Sequence, residues 1–173
     1  VVPDPASQPT ITIAMNGPVA ASIRVERANH PHPATEIVLY DGLDRVDFIN
    51  TADRSQMLYA SLDDNSRYYG LTFPFNLTGA EARIDTAAGW CNPRTDMIEG
   101  SYRSAFGIQN CLDLSEAGYG ITFATPDVYC HAFGGFQNNT FPPANPTVVS
   151  TFIRYGDEAD LVGTDVGYVI DEP

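Results

Sequence analysis

Thr10-Ile11-Thr12-Ile13-Ala14-Met15, followed by Asn16-Gly17-Pro18 and then Val19-Ala20-Ala21-Ser22-Ile23-Arg24-Val25, is the stretch that decides the fold class. Apolar side chains recur at every second position on both sides of the break, which is the period of a half-buried β-strand and not the 3.6-residue period of a helix. The break is made of residues that accept or impose turn dihedrals. The same grammar continues outward through residues 36–40, 45–50, 56–61, 67–75, 119–124, 128–136, 147–155 and 166–170. Turn clusters separate these runs, among them His30-Pro31-His32-Pro33, Asp41-Gly42, Asp63-Asp64-Asn65-Ser66 and Pro142-Pro143-Ala144-Asn145-Pro146. About ten short strands at this spacing predict an all-β fold, either an antiparallel β-sandwich of jelly-roll type or a β-barrel.

Residues 78–115 are the least regular part, and the Ala-rich 80–88 is where at most one short helix is expected. Residues 1–9, with three prolines, read as an extended N-terminal arm, and 10–173 as one β domain. Alternation assigns Ile11, Ile13, Val19, Ile23, Val25, Ile37, Leu39, Val46, Phe48, Phe73, Phe75, Ile121, Phe123, Val149, Phe152 and Val169 to the core. Trp90, the sole tryptophan, is expected to pack beside the sulfur of Cys91.

Composition narrows the function classes. With 43% hydrophobic and 18% charged residues in 173, the chain is of the folding kind, and at that length about 70% of its unfolded surface can be buried. Twenty-two acidic residues against nine basic ones give a formal charge of -13, which repels phosphate backbones; nucleic acid is excluded as a partner. All nine basic residues are Arg, so a Lys-dependent phosphate clamp is excluded and no cofactor motif is present. No apolar run approaches the ~18 residues of a membrane span. The start Val1-Val2-Pro3-Asp4-Pro5 reads as a processed terminus, and sequons stand at Asn76-Leu77-Thr78 and Asn138-Asn139-Thr140. Together they point to a secreted, extracellular glycoprotein. In that compartment, two of the three cysteines Cys91, Cys111 and Cys130 are expected to form a disulfide.

Candidate chemistry is sparse. His30 and His32, two apart in an extended segment, point to one side, and His131 offers a third imidazole; these three are the candidate metal set. Cys130 and His131 are adjacent, so on a strand they face opposite ways and cannot act as a nucleophile–base pair; the expectation is Cys130 inward and His131 outward. Among the carboxylates, Asp47 between Val46 and Phe48 and Glu99 after Met97-Ile98 lie in apolar runs. Burial there would raise their pKa, so they are the catalytic candidates. Arg67, Tyr68, Tyr69, Phe133 and Phe136 could line a ligand pocket, with Gly134-Gly135 marking a bend.

The balance favours binding over catalysis: a secreted, non-catalytic β-domain that contacts a cell surface, a host protein or a carbohydrate. Two alternatives stand beside it. One is a small-molecule-binding or cyclase-like barrel with an aromatic-lined cavity. The other is an extracellular hydrolase that works at acid pH through two carboxylates.

Overall fold

The alternating stretch at 10–25 does become two paired strands. The computed structural model describes residues 8–53, 56, 66–77, 79–101, 105–134 and 147–156, with backbone only at 66–68 and 152–156. Among the described residues twelve strands run in chain order: β1 (Thr10–Asn16), β2 (Ala20–Glu26), β3 (Ala34–Tyr40), β4 (Val46–Thr51), β5 (Ser66–Pro74), β6 (Glu81–Thr86), β7 (Gly89–Cys91), β8 (Phe106–Gly107), β9 (Cys111–Glu116), β10 (Tyr119–Ala124), β11 (Cys130–Phe133) and β12 (Thr147–Gly156). They form three antiparallel four-stranded sheets, ordered β1-β2-β3-β4, β10-β9-β6-β7 and β5-β12-β11-β8. By contacts the chain divides into two compact units, Val1–Tyr59 and Ala60–Pro173. Residues 1–7 of the arm expected at 1–9, residues 57–61 of the strand expected at 56–61, and the whole strand expected at 166–170 lie outside the described residues.

In the first unit the strands follow one another as a meander, each pairing with its sequence neighbour. Short turns make this the least costly topology to close. Positive φ at Gly42 (71°) serves the β3–β4 turn, where a side chain would be strained.

The second unit is an antiparallel sandwich. From β6 and β9 come Ala82, Ile84, Leu112 and Leu114; from β8, β11 and β12 come Phe106, Phe133 and Val148. With Leu77 and Ile108 these make one buried cluster, so the β10-β9-β6-β7 and β5-β12-β11-β8 sheets face each other across it. Phe123 seals one side, its ring 4.8 Å from Phe73 and 6.5 Å from Phe75. The sheets are open, so the barrel alternative is set aside for a sandwich.

The structure answers three sequence expectations, the first of which allowed at most one short helix. Residues 80–88 hold no helix; Glu81–Thr86 is strand β6, with Ala82 and Ile84 buried and Glu81 and Arg83 exposed. Alanine's helical preference is overridden by the pairing of β6 with both β7 and β9. Second, Ile11, Ile13, Val19, Ile23, Leu39, Val46 and Phe48 are exposed and not core. Their parity was right, because they do share a face; what alternation does not reveal is whether that face is covered. Third, His131 is 0% exposed while Cys130 is half-buried, the reverse of the expected orientation. Phe133 shares His131's parity, and the larger ring fixes which side of β11 turns to the core.

Candidate functional site

Pleat parity sorts the cysteines. Cys91 pairs with Ile84, which pairs with Leu112, so its sulfur lies on the inner face of its sheet. Cys111 is one residue from Leu112 and points outward. Cys130 is one residue from His131 and turns away from the core of the other sheet. No disulfide joins any two of them, because no two occupy facing positions. Burial first, then nearby carboxylates, push the Cys91 and Cys111 thiols up: Asp96 acts on Cys91, Asp85 and Asp113 on Cys111. A thiol so placed is a poor nucleophile.

Trp90 also departs from expectation. It stands beside Cys91 in sequence but on the opposite face, 57% exposed.

Asp47 sits on β4 within an ion pair. Arg45 donates Nε to Oδ1 at 2.6 Å and Nη2 to Oδ2 at 2.9 Å, and the Tyr40 hydroxyl donates to Oδ2 at 2.7 Å. The Arg45 bond, then the Tyr40 bond, hold the carboxyl below the usual carboxylate range, and burial opposes them only weakly. This is the direction opposite to that of a general acid. Glu99 is exposed in the turn before Gly100.

His30 and His32 lie in the β2–β3 loop. The His32 backbone N–H donates to His30 Nδ1 at 3.0 Å. The His32 ring Nε2 lies 3.2 Å from Asn50 Oδ1 and 3.1 Å from Thr35 Oγ1. Burial outweighs the Asn50 bond and pulls His32 below its usual range. His131, on β11, directs Nε2–H to the Val128 carbonyl at 3.0 Å, and its buried Nδ1 has no partner among the described residues. Among those residues no group of three or more His, Cys, Asp or Glu is placed to hold a metal ion.

Of the candidate pocket residues, Phe133 is 6% exposed in the core with its ring 5.7 Å from Phe106, and Tyr69 is half-buried on β5. Phe136 and the side chains of Arg67 and Tyr68 lie outside the described residues, as do Asn138 and Thr78; Asn76 is exposed. A shallow, open depression of about 480 Å³ is lined by Gly79, Glu81, Ser115, Glu116 and Ala117.

The feature sequence reasoning missed is the uncovered apolar face of the first unit. Ile11 pairs with Val25, Ile13 with Ile23, Ile23 with Ile37, and Leu39 with Val46, so one side of β1–β4 is a continuous apolar surface. Ile11 is 65%, Ile13 73% and Leu39 54% exposed, and Val19 and Leu43 extend the surface onto adjoining turns. On the other side Ser22, Ala34 and Val38 are buried. Comparison with protein-family models, curated proteins and solved structures finds no match for this chain.

Proposed function

We propose that this is a non-catalytic β-domain that acts by binding, secreted, and that it docks a protein partner on the uncovered apolar face of β1–β4. The observation that carries the reading is the exposure of Ile11, Ile13, Ile23 and Leu39 on one side of a sheet. Monomers rarely leave contiguous apolar area of this kind to water unless it is an interaction site. Secretion draws its support from the sequon at the exposed Asn76.

The partner's chemistry follows from charge. A second copy would bring another -13 to the interface. Exposed Asp41 and Asp44 flank Leu43 at the tip of the apolar surface. A protein with an apolar patch and a basic rim is the complement. The cavity and hydrolase readings draw less support, since Phe133 fills the core and Asp47 is held as an anion by Arg45 and Tyr40.

The test is the double variant Ile11→Thr, Ile13→Thr, which keeps β-branched side chains in an exposed strand. Uptake of an environment-sensitive apolar dye by the native protein should fall, with the unfolding free energy changed by less than about 0.5 kcal/mol. A loss of several kcal/mol, with no dye uptake by the parent, would mean that the face is core and would overturn the reading.

A further inference from the structure

The outward side of the β10-β9-β6-β7 sheet carries a different kind of surface. Trp90 on the edge strand β7 pairs with Asp85 on β6. Asp85 Oδ2 accepts a hydrogen bond from Asn110 Nδ2 at 2.7 Å. One row along, Arg83, Asp113 and Thr122 lie abreast on β6, β9 and β10. Asp113 accepts bonds from the hydroxyls of Ser115 and Thr122, and among the described residues Arg83 makes no ion pair. In the next row Glu81 and Ser115 border the depression described above.

We infer that this face binds a short neutral oligosaccharide, with Trp90 as the stacking platform and Arg83, Asp85 and Asp113 as hydrogen-bonding partners for sugar hydroxyls. A pyranose ring presents C–H groups on one face and hydroxyls around its edge. That pattern complements an exposed indole beside fixed acceptors and a guanidinium. Neighbouring side chains hold Asp85 and Asp113 in place yet leave each with unused lone pairs, and Arg83 keeps its fork of N–H donors. From Asp85 to Glu81 the face runs about 13 Å along the strand, the length of a disaccharide or trisaccharide. Carboxylates in all three rows repel anionic sugars and phosphates.

Because Trp90 is the sole tryptophan, its emission reports this face alone. The whole chain is titrated with maltose, cellobiose and lactose, with glucuronic acid as the anionic control. A saturable blue shift with at least one neutral sugar in the millimolar range, and none with glucuronic acid, is the expected result. By calorimetry, Arg83→Ala and Asp113→Ala should each weaken binding at least fivefold and Trp90→Ala abolish it, while Trp90→Phe stays within a few-fold of the parent. Ile11→Thr, Ile13→Thr should leave the shift intact, so this site and the docking face succeed or fail separately. An emission spectrum unmoved by every neutral sugar, a shift given by glucuronic acid, or affinity indifferent to Arg83→Ala and Trp90→Ala alike would overturn the inference.

Discussion

At the scale of single residues, His131 shows how a buried polar group makes stability depend on pH. Burial, the larger influence, pulls its imidazole below the usual range, and the bond to the Val128 carbonyl opposes this. The unfolded chain takes up a proton near pH 6.5, while the folded chain resists until a lower pH. Stability is therefore complete above about pH 6.5 and declines as pH falls beneath it, by at most about 1.4 kcal/mol per pH unit from this group. Urea unfolding between pH 7.5 and 5 should show that decline, and His131→Leu should lessen it, leaving the share of His32, which burial lowers in the same direction; an unchanged slope would remove His131 as the cause. Packing at the same scale gives a graded pair. Leu112 is fully buried, so Leu112→Ala should cost about 3–5 kcal/mol, whereas the half-buried Phe123 should lose less on truncation to Ala. The sequence could place Phe123 on the inner parity but could not resolve His131 from Cys130, because Tyr129, His131 and Phe133 alternate with Val128, Cys130 and Ala132, and both sets contain apolar members.

At the scale of elements, two strand glycines make opposite predictions. A Cβ on Gly70 in β5 would meet the Ser150 backbone oxygen at 2.8 Å, and backbone in a paired strand cannot give way. A Cβ on Gly107 in β8 would meet nothing within 4 Å. Gly70→Ala should cost about 1–3 kcal/mol by overpacking, and Gly107→Ala should be neutral or slightly stabilising through the unfolded chain. Equal effects in thermal melts would mean that the β5–β12 register is wrong. Denaturing the unreduced protein should release three titratable thiols, in keeping with the pleat that separates Cys91, Cys111 and Cys130. Strands were legible where alternation was strong, as in β1 to β4, β5, β10 and β12. Those between 78 and 115 were harder to read. β7 and β8 are too short, at three and two residues, to show a period, and the two alanines of Ala80–Ala82 resembled a helical signal. Leu112 and Leu114 of β9 did carry the period-two pattern, but the surrounding irregularity obscured it. Neither candidate surface was legible, since each depends on which side of a sheet is left uncovered, a tertiary property.

Across the whole molecule, charge and apolar exposure act against each other. The acidic excess keeps copies of the β1–β4 face apart at neutral pH. Near the sequence isoelectric point of about 4.3 that repulsion vanishes. Light scattering should rise as pH approaches this value, and less so for Ile11→Thr, Ile13→Thr; identical curves would show that the apolar face is not what associates. The pairing of β5 with β12 bears on a different process. Its partners are 73 residues apart at Thr147↔Pro74 and 90 apart at Gly156↔Ser66. At ribosomal rates of about 5–20 residues per second, β5 waits roughly 4–18 s for its partner to be synthesised. The β1–β4 meander, built from neighbouring hairpins, faces no such delay. During biosynthesis, then, β5 emerges as an unsatisfied edge carrying Leu71 and Phe73, and it is this strand that a nascent-chain chaperone would have to shield.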